Sequence, residues 1–148
     1  MPDKVLYTAK ATSTGDGRNG HVVSSDQRLD LDLALPPEMG GSGNGTNPEQ
    51  LFAAGYAACF HNALLNVARG LKLDASESTM TARVGIGPTA HGGTGLAVTL
   101  NLHAPHATRA EAEDLMRRAH ERCPYSRATR GNIDVTLLVD GTPVEQPT

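Results

Sequence analysis

An α+β fold is predicted by three observations. Apolar residues alternate with polar ones in several short runs, two stretches of helical period open on strong start signals, and the strands cluster on either side of those helices. The 148 residues suffice for one domain with its own core, and neither a linker nor a repeat divides them. Val5 to Ala11 and His21 to Ser25 read as strands flanking the turn Thr14–Gly20, whose glycines permit positive φ. Leu29, Leu31, Leu33 and Leu35 alternate with Asp30, Asp32 and Ala34, a strand with one face on a core, until Pro36 and Pro37 stop it. Asn47 as N-cap, Pro48 at the first helical position, Glu49 in the first turn and Gln50 at the capping-box position open a helix expected to run to about Arg69, with Gly70 as its stop. Met80, Ala82, Val84 and Ile86, then Leu96, Val98, Leu100 and Leu102 beyond the Gly92–Gly95 turn, predict two antiparallel strands. Thr108 and Glu111 form a capping box for a second helix, with Ala112, Leu115, Met116 and Ala119 on one face; Pro124 must end it near Cys123. Ile133, Val135, Leu137 and Val139 supply a last strand, and Gly141 to Thr148 a polar tail. The predicted order is βββ-α-ββ-α-β.

Composition excludes several function classes. Apolar residues at 39%, charged residues at 20% and a net charge of −3 are ordinary for a globular protein. Without a basic stripe, and with aromatics at 3%, the chain offers nucleic acid neither a phosphate track nor a stacking platform. Met-Pro-Asp-Lys-Val-Leu-Tyr lacks an apolar signal core, and His61, Asn62 and Asn66 interrupt the longest apolar stretch. The expectation is a cytoplasmic protein with no nucleic-acid or membrane partner. In that compartment two cysteines point to catalysis, redox chemistry or metal binding ahead of a structural staple.

Those two cysteines sit in unlike settings. Cys59 closes the uncharged run Leu51–Phe60, which reads as the inside of a buried helix; Cys123 ends a charged amphipathic segment and precedes Pro124. One sheltered thiol and one thiol at a joint suit a nucleophile with a resolving partner, against the plain alternative of two unrelated reduced thiols. His61 and His120 lie near them, but no paired Cys-X-X-Cys or His-X-X-X-His spacing supports zinc, and Gly40–Gly45 lacks the Gly-Lys-Ser/Thr of a phosphate loop. No metal, nucleotide or flavin is expected. The first helix carries Phe52, Tyr56, Cys59 and Ala63 on one stripe and Leu51, Gly55, Ala58, Asn62 and Leu65 on the next. A helix apolar on nearly every side, with small Ala54, Gly55 and Ala58 to admit another backbone, predicts a homodimer that buries it centrally, beside the alternative that one chain covers it alone.

Two stretches are specific. Thr46-Asn-Pro-Glu-Gln-Leu-Phe-Ala-Ala-Gly-Tyr-Ala-Ala-Cys-Phe60 and His120-Glu-Arg-Cys-Pro-Tyr-Ser-Arg-Ala-Thr-Arg-Gly-Asn-Ile-Asp-Val135 closely resemble the two signatures of the organic hydroperoxide resistance proteins, one branch of the Ohr/OsmC family. The likeness covers almost the whole chain, including Pro37-Glu-Met-Gly-Gly41 and Val84-Gly-Ile-Gly-Pro88. The resemblance implies an intertwined α+β homodimer with two sites at the subunit interface, and a cytosolic thiol-dependent peroxidase that reduces organic hydroperoxides to alcohols. It implies Cys59 as the peroxidatic nucleophile, Cys123 as the resolving thiol, Arg18 as the cation beside the thiolate and Glu49 as the carboxylate that positions that arginine; Arg28 is next in line. It also implies a lipoylated protein as the external dithiol reductant, with no bound cofactor.

The chemistry asks for these residue types. A thiol of pKa about 8.5 is mostly protonated at neutral pH, and Cys59, in mid-helix, is expected to gain nothing from a helix N-terminus. It needs a cation. Arginine stays charged, and its fork can hold the sulfur and a peroxide oxygen together while Glu49 orients it. Charge alone leaves the two cysteines unordered, because the helix dipole disfavours a Cys123 thiolate and Arg122, Arg127 and Arg130 favour it. Phe52, Tyr56, Leu115, Met116 and Tyr125 lie within a turn or two of one cysteine or the other; they line an apolar slot for an alkyl tail or else fill the core. The expected function is therefore a peroxidase that cycles through a Cys59 sulfenic acid and a Cys59–Cys123 disulfide. The alternative is a non-catalytic redox sensor or hydrophobic-ligand binder using the same pocket.

Overall fold

The computed structural model describes residues 1–145. Its class is α+β, and its elements follow the predicted order with a further short helix and a two-residue strand added towards the C-terminus. The chain forms two compact units, Met1–Leu51 and Phe52–Thr148.

In the first unit, β1 (Ala11–Thr14), β2 (His21–Ser24) and β3 (Asp30–Asp32) make an antiparallel sheet in that order. A single 3-10 turn, Gly17–Asn19, joins β1 to β2, and Gly15 and Gly17 take φ of 77° and 61° to make it. Two expectations change here. Pairing begins at Ala11 and not at Val5: among the described residues Val5, Leu6 and Tyr7 have no partner strand, and they are 64%, 88% and 79% exposed. The leucine alternation yields only the short β3; Leu33 and Ala34 are buried, but Leu29 is exposed. An alternating pattern needs a surface to bury against, and this unit supplies little of one.

The long helix α1 (Pro48–Leu71) starts as predicted: Asn47 Oδ1 accepts the Gln50 N–H at 2.8 Å. The Gln50 carboxamide oxygen instead accepts the Thr46 hydroxyl at 2.7 Å. The helix does not stop at Gly70. Lys72 takes the left-handed φ of 58°, its N–H reaches the Arg69 carbonyl at 3.3 Å, and the Leu73 N–H reaches the Ala68 carbonyl at 2.9 Å. That double bond is a Schellman ending, with lysine where glycine is commoner.

In the second unit β4 (Thr79–Pro88), β5 (Thr94–His103), β6 (Asp134–Val139) and β7 (Thr142–Pro143) form one sheet in that order, antiparallel except for the β5–β6 pair. The register lines up the predicted apolar positions across the sheet: Met80 with Leu102 and Val139, Ala82 with Leu100 and Leu137, Val84 with Val98 and Val135. Those rows share a core with Tyr56, Phe60 and Leu64 of α1 and with Ala112, Leu115, Met116 and Ala119 of α2 (Arg109–Arg122). The capping box of α2 is complete, Thr108 Oγ1 accepting the Glu111 N–H at 3.1 Å and Glu111 Oε1 accepting the Thr108 N–H at 2.9 Å. The expected polar tail is corrected in its first half: Thr142–Pro143 pairs with β6, and Val144 enters the core at 6% exposure. Residues 146–148 lie outside the described part.

Thr108→Ala removes the hydroxyl that accepts the Glu111 N–H, while the Thr108 backbone N–H to Glu111 Oε1 and the buried face of α2 stay intact, so it should cost about 1 kcal/mol. Urea unfolding checks this; a midpoint lowered at unchanged slope is the expected result.

Candidate active site

Proline at 124 ends one helix and begins another. α2 stops at Arg122, and α3 (Pro124–Thr129) starts at once with Pro124 in its first turn. Cys123 between them has the extended φ and ψ of −65° and 125° that a following proline favours. Its N–H bonds the Ala119 carbonyl at 2.8 Å and its carbonyl accepts the Arg127 N–H at 3.0 Å, so one residue closes one helix and opens the next. The joint predicted at Cys123 is there. The second helix, α3, is an addition, and the Cys-Pro step was its signal.

This turn carries Cys123 Sγ to 3.5 Å from Cys59 Sγ on α1. Both thiols are free. Their exposure is the reverse of what the flanking residues suggest: Cys123 is fully buried and Cys59 only half-buried. Burial, and then the neighbouring Cys123 thiol, push the Cys59 pKa up to about 11, while the backbone N–H of Tyr125 pulls the other way. Tyr125, whose backbone N–H favours the Cys59 thiolate, lies in the first turn of α3.

Gly55 and Tyr56, one turn before Cys59, seat α3. A Cβ on Gly55 would lie 3.2 Å from the Tyr125 hydroxyl and 3.3 Å from its Cε2, close enough that the ring would have to give by a few tenths of an ångström. The Tyr56 and Tyr125 rings meet edge to face at 5.7 Å. The Tyr56 hydroxyl bonds Ser126 Oγ at 2.8 Å and Thr129 Oγ1 at 3.1 Å, and Ser126 Oγ bonds His120 Nδ1 at 2.9 Å. Ser126 and Thr129 were not singled out from the sequence, because short polar residues after a proline read as loop.

Within the first unit, Arg18 and Glu49 form a two-pronged ion pair, Nη1 to Oε2 at 2.8 Å and Nη2 to Oε1 at 3.0 Å. The arginine hydrogen bonds hold the Glu49 carboxyl below its usual range, and the carboxylate raises the arginine in turn. Arg28 takes no part; its N–H caps Asp26. The five candidate pocket residues separate. Tyr56, Leu115 and Met116 are fully buried in the core, whereas Phe52 is partly buried and Tyr125 is 42% exposed. An open apolar hollow of about 410 Å³ on the β4–β5 hairpin, between residues 85–89 and 95–97, includes none of them. His61 bonds Ser78 Oγ and His120 bonds Ser126 Oγ, so these two imidazoles share no partner.

The sequence profile of the OsmC-like proteins matches residues 41–138. The chain is 56% identical over 140 residues to the organic hydroperoxide resistance protein of Xanthomonas axonopodis pv. citri, covering 93% of this chain and 97% of that one. It is 46% identical to organic hydroperoxide resistance protein OhrB of Bacillus subtilis over 133 residues, 89% of this chain and 96% of the other. Among solved structures, an organic hydroperoxide resistance protein of Legionella pneumophila superposes with a TM-score of 0.87 at 51% identity, over 92% of this chain and 98% of that one. One from Vibrio cholerae, with captopril bound in one of its active sites, gives 0.89 at 50% identity, over 97% and 98%. The fold, the joined cysteine turn and these likenesses agree, and the chain belongs to the OsmC-like family, within it to the organic hydroperoxide resistance proteins.

Proposed function

We propose that this protein is a cytoplasmic dithiol peroxidase that reduces organic hydroperoxides to alcohols. The observation that carries the reading is the approach of the two sulfurs to 3.5 Å at a helix joint. The Cys59 thiolate attacks the terminal oxygen of ROOH, the O–O bond breaks, and ROH leaves after taking up a proton, with Cys59 left as a sulfenic acid. Cys123 then condenses with it, releasing water, and an external dithiol reduces the disulfide. A lipoylated protein is the reductant we favour, by family; the chemistry needs no bound cofactor.

A Cys59 pKa near 11 is too high for this attack, so a cation must act on the sulfur. The preformed Arg18–Glu49 pair supplies that chemistry. Ten residues of α1, about 15 Å of axial rise, separate Glu49 from Cys59, and we assign the pair that meets each sulfur to a second copy of the chain. A homodimer also accounts for α1 itself. The helix is long and apolar enough to cross a membrane by length and composition, yet 33% of its apolar window is buried within one chain; a second copy covers the rest as readily as lipid would. A one-shot redox sensor would use the same thiols, but sustained consumption of hydroperoxide with many equivalents of dithiol separates catalysis from sensing.

Cys59→Ser should abolish turnover, while Cys123→Ser should complete one oxidation and stall at the sulfenic acid or beyond. Mass spectrometry after peroxide treatment checks this, and oxidation of Cys123 alone in the Cys59 variant would reverse the roles.

For Arg18→Ala the sign is fixed by charge. Losing the cation raises the Cys59 pKa and thins the thiolate population at pH 7. Each tenfold loss of thiolate lowers kcat/KM by about tenfold, and the rate recovers as pH rises towards the new pKa. Glu49→Ala should move the profile less, because that carboxylate only orients the guanidinium. An unmoved pH profile in the Arg18 variant would transfer the role to Arg28 or to the arginines around Cys123.

Fatty-acid hydroperoxides should outperform hydrogen peroxide, since Phe52 and Tyr125 offer apolar surface to a tail and each buried methylene contributes about 0.8 kcal/mol, roughly fourfold in kcat/KM when it persists into the transition state. Equal kcat/KM for hydrogen peroxide, tert-butyl hydroperoxide and a fatty-acid hydroperoxide under saturating dithiol would remove the tail-binding surface from the reading.

A further inference from the structure

Beneath the cysteine joint lie four polar side chains that the peroxidase chemistry does not use. Tyr56 and Ser126 are fully buried and Thr129 is 3% exposed, while His120 is half-buried. Their protons can be assigned by elimination. Thr129 Oγ1 donates to the Ser126 carbonyl at 3.2 Å, because a carbonyl only accepts. Its oxygen must then accept from the Tyr56 hydroxyl. With that proton committed, Tyr56 accepts from Ser126 Oγ, and Ser126 in turn accepts from His120 Nδ1–H. Every hydroxyl donates once, and among the described residues no buried side-chain nitrogen or oxygen lacks a partner. Arg130 secures the far end through the His120 carbonyl at 2.5 Å.

Packing alone would not require this arrangement, since apolar groups of the same shape could replace it at little cost in stability. Hydrogen bonds add direction. α3 has six residues and no side-chain cap, too short to hold its own orientation. The disulfide step needs orientation, because the sulfurs must close from 3.5 Å to about 2.05 Å at a narrow torsion. We propose that the one-way chain from His120 through Ser126 and Tyr56 to Thr129 latches α3 onto α1, and that Tyr56 and Ser126 are positioning residues for the condensation of Cys123 with oxidised Cys59. In that step the S–S bond forms, the S–OH bond of Cys59 breaks, and the Cys123 proton leaves with the hydroxyl as water; no outside oxidant is needed. This inference rests on the dithiol reading above.

The test is a single turnover of the full-length protein with one equivalent of tert-butyl hydroperoxide, with dimedone competing for the sulfenic acid. Mass spectrometry then reads the ratio of disulfide to dimedone adduct. Tyr56→Phe and Ser126→Ala should lower that ratio by roughly tenfold, and Thr129→Val by less, since small misplacements of reacting groups cost rate steeply. Nitrogen-15 shifts should show His120 as the Nδ1–H tautomer in the wild type and as a mixture in Tyr56→Phe. A ratio within twofold of wild type in every variant, even with a lowered melting temperature, would overturn the latch, as would an Nε2–H tautomer in the wild type. Should Tyr56→Phe fail to fold, Ser126→Ala and Thr129→Val decide. A wild type in which Cys59 is never oxidised would instead sink the peroxidase reading, and the His120 tautomer would then decide the hydrogen-bond chain by itself.

Discussion

Everything at the cysteine pair depends on how α3 seats against one turn of α1. Gly55, Tyr56 and Cys59 fall within that turn and do three different things: Gly55 gives the Tyr125 ring room, Tyr56 bonds Ser126 and Thr129, and Cys59 meets the Cys123 thiol at 3.5 Å. Because Cys123 immediately precedes Pro124, any rotation of α3 moves its sulfur with it. The thiol separation is therefore a property of the helix contact and not of either cysteine's own rotamer alone.

In the cycle proposed above, that seat would set the two chemical steps against each other. A second thiol at 3.5 Å suits condensation, yet it joins burial in disfavouring the Cys59 thiolate that the first step needs. One backbone N–H opposes both effects and does not overcome them. For the cation proposed to act there, arginine suits better than lysine, because burial near a thiol deprotonates an ammonium far more readily than a guanidinium. Glu49, itself kept ionised by Arg18, fixes the fork, so a guanidinium acting on the sulfur as proposed would lose little freedom.

The second unit was legible in the sequence because its signals are local and agree with one another. Period-two runs on β4, β5 and β6, the Thr108 capping box and the Pro124 stop each name one geometry, and the register across the sheet follows from matching apolar faces. Failures came where a signal needed a partner. Gly70 has the composition of a terminator, but the backbone turns two residues later at Lys72, where Leu73 can reach the core. At the site, both motifs pointed to Cys59 and Cys123. The relative exposure of the two thiols and the hydroxyl chain under α3 were not readable, since both arise from residues some 64 to 73 positions apart.

The first unit poses the remaining physical question. Leu33 and Ala34 are its buried apolar residues, while Val5, Leu6, Tyr7, Leu29 and Met39 stand exposed. A three-stranded sheet with so little covered surface gains too little from burial to offset the entropy of ordering it. Val5 to Lys10 lies outside any strand; the Lys10 carbonyl accepts the Ser25 N–H at 2.8 Å, and Val5, Leu6 and Tyr7 have no partner strand among the described residues, so this segment is able to add to a neighbouring sheet edge. In the homodimer proposed above, a second copy would cover both apolar sets at once and would bring its own Arg18–Glu49 pair to the contact. On that proposal assembly and thiol activation would be one event, because the contact that covers the exposed apolar residues would be the contact that brings a cation to a sulfur too weakly acidic to ionise alone.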